Sequence, residues 1–462
     1  MAFLFWPGMF LMQRRNQVAA LLALVLTCDL TTAWGQSAAA PQAQTTSSLA
    51  GSLHRADNGE IQLHIFYVHG MGIDAPNPKT APQDFQVSQQ FRTSFCKRIG
   101  CTTKMGEFQG RNYANEAEFG HNTAPPPLLY LGQEIWSTSD DWHAAAPFVD
   151  HYKLVRKNGT TIYLHEINWW PLVFSAKCRQ IVAMEAALVD RDEKHIATCS
   201  ATTSKDSTQE DRFKSYAWIT NEEIQRRVPP WPQPALINRR LKRDILDWGF
   251  ADALLAVGPM RKYLVEGIRE LVLASVTPAG AQEFVVVSHS LGSYLLFSAL
   301  DLQSDPQAVT QPDWQSRFER VLSQTSYAYF MANQVRLLEL ASLDATKNLR
   351  VHLDNWGNLR SQAQKAPPQI LAWSDPDDLL TWQVPELAQL AAQDWSAKHV
   401  QIINRPAKNA WRWFGLIESP AAAHTNYDIN KSVVRAMVPK QNRRDRHPPN
   451  SRVDLSTSPS AP

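Results

Sequence analysis

The chain has 462 residues, 44% of them hydrophobic and 19% charged, a composition that belongs to a globular protein with a substantial core and excludes a disordered or collagen-like chain. Its 46 basic and 44 acidic residues leave a formal net charge of +2, without the basic excess that a nucleic-acid-binding domain carries. The length allows one large domain or two ordinary ones.

The first residues have the order of a secretory signal peptide: Arg14 and Arg15, the apolar run Val18 to Leu26, then small residues around Ala33 and Gly35. That run is shorter than the roughly 20 residues needed to cross a bilayer, and no other segment is apolar for long enough, so no integral membrane span is expected. The expectation is a signal peptide over residues 1–35 and a Ser/Thr/Ala/Gln-rich linker over 36–58, with a secreted or periplasmic destination. Cys28 offers a weaker lipoprotein reading, because Thr27 stands where a small Gly or Ala is normal. The remaining cysteines fall into two local pairs, Cys96/Cys101 and Cys178/Cys199. An even number in an exported chain points to disulfides within those pairs, although the sequence leaves other connectivities open. Neither pair has zinc-site spacing, and no metal or organic cofactor is implied.

The run Ile61 to Val68 reads as a strand that enters a glycine turn at His69-Gly70-Met71-Gly72. Further on, HYKLVRK and TTIYLHEI flank Asn158-Gly159, a pair suited to the positive φ values of a type I′ hairpin turn. Beyond the Pro-rich stretch Pro229 to Pro234 the period becomes helical, with Ile237, Leu241, Ile245 and Trp248, then Met260, Leu264, Ile268 and Leu271. The apolar strand Phe284 to Ser288 follows, with a helix opening directly behind it. Later strands are expected at Ser326 to Met331, Gln369 to Trp373 and His399 to Ile403. Strands alternating with helices, several apolar on both faces, argue for an α/β fold with a mostly parallel central sheet and flanking helices. Residues 59–437 form the folded domain in this reading, and 438–462 a disordered tail.

The chemistry centres on Ser288-His289-Ser290-Leu291-Gly292, between an apolar strand and a helix. A serine in a sharp strand-to-helix turn has its hydroxyl lifted clear of the sheet and a helix N-terminus behind it. So tight a turn demands small residues two before and two after it. Gly292 is the usual residue, whereas Ser288 replaces the usual Gly. With HGMG after the first strand, SHSLG after the central one, SDPDDLL after QILAW and AAHTNY after HVQII, the chain resembles the α/β-hydrolase superfamily, and its lipase/esterase members in particular. The resemblance covers about residues 60–435 and rests on those motifs. It implies Ser290 as nucleophile, His424 as base, and an acid among Asp375, Asp377 and Asp378, with Asp378 narrowly favoured. It further implies an oxyanion hole from the backbone N–H groups of Met71 and Leu291.

His69 and Ser290 are 221 residues apart, whereas two strand-helix units need roughly 60. A large insertion therefore precedes the nucleophile strand. Roughly residues 106–235, with Trp136, Trp142, Trp169, Trp170, Trp218 and Trp231, are expected either to cap the site or to enlarge the core. Gly70-Met71-Gly72-Ile73-Asp74-Ala75 also fits a dinucleotide fingerprint, but Pro76 and Pro78 stand where its helix should open. The function expected is an exported serine hydrolase acting on a small-molecule or lipid ester. A non-catalytic binding protein on the same scaffold, or an acyltransferase using the same residues, stands as the alternative.

Overall fold

The computed structural model describes residues 49–70, 89–114, 147–177, 250–258, 260–276, 280–300, 314–339, 345–375, 378, 380–381, 400–406, 424 and 426–438. The expected signal segment, most of the tail, Met71, Asp377, Cys178, Cys199, Trp136, Trp142, Trp218, Trp231 and the Ile237 to Trp248 stripe lie outside them. In chain order the elements are α1 (Leu49–Asp57), β1 (Gln62–Val68), α2 (Gln89–Ile99), β2 (Glu107–Tyr113), β3 (Phe148–Val155), β4 (Thr161–Asn168) and α3 (Trp170–Lys177). Then come α4 (Ala251–Val257), α5 (Arg261–Ala274), β5 (Gln282–His289), α6 (Leu291–Ala299), α7 (Trp314–Gln324), β6 (Thr325–Met331) and α8 (Val335–Glu339). The last are α9 (Ala345–Gln362), β7 (Gln369–Ser374), β8 (Gln401–Pro406), a short 3-10 turn (Asn426–Ile429) and α10 (Lys431–Met437).

The strands form one 8-stranded sheet in the order β2-β3-β4-β1-β5-β6-β7-β8. From β4 through β8 every neighbouring pair is parallel, and β3 runs against both of its neighbours. The chain leaves β1 toward one edge and returns beside it as β4; after β5 it moves steadily toward the other edge. The carboxyl ends of β1 and β5, paired as far as Val68↔Ser288, therefore flank the place where the strand order reverses. In open α/β sheets that crevice is where ligands bind.

Period-two alternation along β1 divides the core in two. Phe66 and Val68 join the cluster formed with α5, α6, α7 and α9, while Leu63, Ile65 and Tyr67 join the one formed with α1, α2 and α10. The helical stripe Met260, Leu264, Ile268 and Leu271 is buried in the first cluster. α6 is buried along its whole length, which matches its nearly all-round apolar sequence.

The structure corrects or narrows the sequence reading in three places. The end of the expected linker is the helix α1, with Leu49, Ser52, Leu53 and Ala56 buried. Ser52 Oγ donates to Glu283 Oε1 at 2.6 Å, Arg55 pairs with the other oxygen of Glu283, and Arg156 pairs with Asp57. Within the expected insertion, Glu107–Tyr113, Phe148–Val155 and Thr161–Asn168 are strands β2 to β4 of the main sheet, and Trp169 and Trp170 are buried in the core, as the enlarged-core alternative expects. The Asn158-Gly159 hairpin forms, but the Arg156 N–H bonds Thr160 O and the Gly159 N–H bonds Arg156 O. With Gly159 at φ 88, this is a three-residue loop closed by a left-handed glycine, not a type I′ turn. Of the two expected disulfides, Cys96–Cys101 is formed; it closes the turn behind α2, where Gly100 has φ 78 and ends the helix.

Three histidines form a row across adjoining strands, with His64 Nδ1 2.9 Å from His165 Nε2 and His165 Nδ1 2.8 Å from His151 Nδ1. Burial lowers the His64 pKa to about 4 and lowers those of His165 and His151 as well, with His64 and His151 further opposing a charge on His165. The unfolded chain therefore binds protons here that the folded chain refuses. The contribution of these histidines to stability is level above about pH 6.5 and falls as the pH drops toward 4, with His64 alone contributing on the order of 3 kcal/mol. Urea unfolding at pH 7.5, 6 and 4.5 is expected to show that decline, and an unchanged unfolding free energy across the range would contradict it.

Candidate active site

Strand β5 is apolar to Val287 and then breaks sharply. Ser290 has φ 52 and ψ −125, a conformation that costs a non-glycine residue about 1–3 kcal/mol. Its surroundings hold it there: its N–H donates to Met331 O at 2.8 Å, and its carbonyl accepts from the Ser293 N–H at 3.0 Å. The first turn of α6 lies hard against the end of β1. A Cβ on Gly292 would stand 2.4 Å from His69 O and 2.5 Å from Val68 O, and one on Gly70 would stand 2.7 Å from Ser290 Cβ. The two glycines interlock. Ser288, in place of the usual glycine, is accommodated because its hydroxyl lies 2.9 Å from Ser293 Oγ, with both residues fully buried.

Ser290 Oγ is 2.8 Å from His424 Nε2, and His424 Nδ1 is 2.9 Å and 3.0 Å from the two oxygens of Asp378. The structure thus joins Ser290, His424 and Asp378 in one hydrogen-bonded chain. Asp375, the first of the alternative acids, is buried with its backbone N–H on Tyr427 Oη at 2.5 Å, and it is Asp378 that meets the imidazole. Burial pushes the Asp378 carboxyl up, but the hydrogen bond and charge of His424, the Thr381 hydroxyl and the Leu380 N–H together hold its pKa below the ordinary value. The carboxylate stays ionised at neutral pH and fixes the proton of His424 on Nδ1, which leaves Nε2 free to accept from Ser290. Leu291 begins α6 directly behind Ser290, so its N–H is one of those a helix leaves without an intrahelical partner.

Several residues of this site have no role assigned by the motifs. Thr381 Oγ1 donates to Asp378 Oδ2 at 2.5 Å, and Tyr427 Oη donates to the same oxygen at 3.3 Å. Each sits three positions after the residue it supports or accompanies, Asp378 and His424. Tyr67 Oη donates to Asp428 at 3.1 Å, and Asp428, fully enclosed, has its pKa raised by burial to about 7 despite that bond. His69 stacks on Trp169 with ring centroids 5.0 Å apart, and the Trp169 Nε1–H donates to His69 O at 2.9 Å. This fixes the backbone just ahead of the glycine turn.

Among the described residues no group of three or more His, Cys, Asp or Glu side chains is arranged to hold a metal ion, and none of the helices there is long and apolar enough to cross a membrane. Compared with models of protein families, with curated proteins and with solved structures, the chain matches none of them.

The close approach at Gly292 is directly testable. Gly292→Ala forces its methyl into two backbone carbonyls and is expected to destabilise the fold by about 1–3 kcal/mol or more. Gly51→Ala, in α1 with nothing within 4 Å of the added Cβ, serves as the control and should be neutral or mildly stabilising. Equal melting temperatures for the two variants would contradict this geometry.

Proposed function

We propose that this chain is an exported serine hydrolase of the α/β-hydrolase type, cleaving carboxylic esters through an acyl-enzyme on Ser290. One observation carries the reading: the hydrogen-bonded chain Ser290–His424–Asp378, set on a strand-to-helix turn at the reversal point of the sheet. Such a constellation is recognised by geometry and role rather than by overall similarity.

In the proposed reaction Ser290 Oγ attacks the ester carbonyl as His424 Nε2 takes its proton. The positive imidazole is stabilised by Asp378. The developing oxyanion is met by the Leu291 N–H and, in this proposal, by that of Met71. Collapse expels the alcohol, which leaves with the proton from His424. Water then attacks the acyl-serine with His424 again as base, releasing the acid and restoring Ser290. Ser290 is only 1% exposed, and an enclosed site keeps bulk water from the reacting atoms. The substrate class is a small-molecule or lipid ester, and no cofactor takes part.

Hydrolysis of p-nitrophenyl esters of increasing acyl length tests the reading. Ser290→Ala is expected to abolish turnover. Asp378→Asn, which leaves His424 in the wrong tautomer, should lower kcat by about 10⁴-fold, whereas Asp375→Asn should retain most of it. Turnover surviving in Ser290→Ala, or Asp375→Asn being the more damaging of the two carboxylate changes, would sink the proposal.

A further inference from the structure

His289, the residue before Ser290, has no role in that reaction, yet it touches both sides of the site. Its Nε2 is 3.0 Å from the backbone carbonyl of His424. Its Nδ1 would stand 3.2 Å from a Cβ on Gly70, so the ring packs closely beside the backbone that begins the glycine turn. Its ring centroid is 5.6 Å from that of His424 and 6.1 Å from that of Tyr427. Behind Tyr427 lies the backbone N–H of Asp375.

We infer that His289 is a positioning residue: its Nε2–H, donated to the His424 carbonyl, holds the base at hydrogen-bonding distance from Ser290. The inference rests on the proposed serine-hydrolase reading and adds to it. A carbonyl accepts and cannot donate, so the bond requires the proton on Nε2 of a neutral ring. Burial supplies that state: it lowers the His289 pKa to about 3, and the neighbouring charges of His424 and His69 oppose protonation while the His424 carbonyl and Asp378 favour it. The neutrality matters for catalysis. A charged ring 5.6 Å from His424 would repel the imidazolium formed in each half-reaction, whereas a neutral donor steadies the backbone and leaves the charge to Asp378. The base is thereby tied to the strand that carries the nucleophile.

Two substitutions separate positioning from packing. His289→Phe keeps the ring and removes the donor. His289→Gln gives up the ring and keeps an N–H at about the same reach. With a melting curve recorded for each, His289→Phe is expected to lower kcat about 10- to 100-fold with KM changed less than about twofold, and His289→Gln to restore kcat to within a few-fold of the parent. Full activity in His289→Phe would overturn the inference, since the ring would then act only by filling space, as would equal loss in both variants, since a restored donor would then rescue nothing. The parent protein and Ser290→Ala are assayed in parallel. An inactive parent would remove the hydrolase reading and this inference with it, whereas an active parent with unaffected His289 variants would remove this inference alone.

Discussion

Everything at the candidate site depends on how closely the first turn of α6 approaches the end of β1. Gly292 lies where any side chain would enter the Val68 and His69 carbonyls, and Gly70 lies where any side chain would enter Ser290. Because the two backbones touch, the strained turn at Ser290 cannot relax without moving a central strand of the sheet. Adjacent ladders finish the restraint, with Met331 O on the Ser290 N–H and Trp373 O on the Ala332 N–H. Ala332, at the end of the next strand, also has a positive φ of 50. Two neighbouring strand ends are thus turned abruptly beside the crevice.

Electrostatics at the site follow from burial and directed hydrogen bonds. Asp378 is kept ionised by the donors that converge on it, while Asp428, next to Tyr427, has one hydroxyl donor among the described residues and is pushed up to about 7. His69 and His289 are both held neutral by burial, with pKa values of about 4 and 3. In the proposed reaction this leaves His424 as the ring beside Ser290 that takes up the proton, with one dedicated carboxylate to support it. Separating neighbouring groups of one chemical type by environment is a general route to acid–base assignment.

Much of this was legible in the sequence, for physical reasons that vary by residue. Strands β1 and β5 to β7 were marked by short apolar runs bounded by turn residues, and SHSLG was marked by its place between a strand and a helix. The acid was ambiguous because three aspartates follow β7 within four residues, and only the path of the chain decides which one meets the imidazole. The helix α1 was hidden because its composition resembles a linker; its burial comes from contacts with Tyr329 and Glu283, more than 200 positions away. Strands β2 to β4 were read as an insertion because chain distance says nothing of which edge of a sheet a segment joins. Tyr427 and His289 lie inside quoted motifs at positions to which no role attaches, and their contacts with Asp378 and the His424 carbonyl join residues far apart in the chain.

The central claim is that Ser290 is an activated nucleophile. Treatment of the purified protein with a fluorophosphonate, followed by peptide mapping, tests it most directly. The account predicts rapid, stoichiometric phosphonylation of Ser290, lost in Ser290→Ala and greatly slowed in Asp378→Asn. A folded protein with the Cys96–Cys101 disulfide formed that resists the probe, or labelling at another residue, would contradict it.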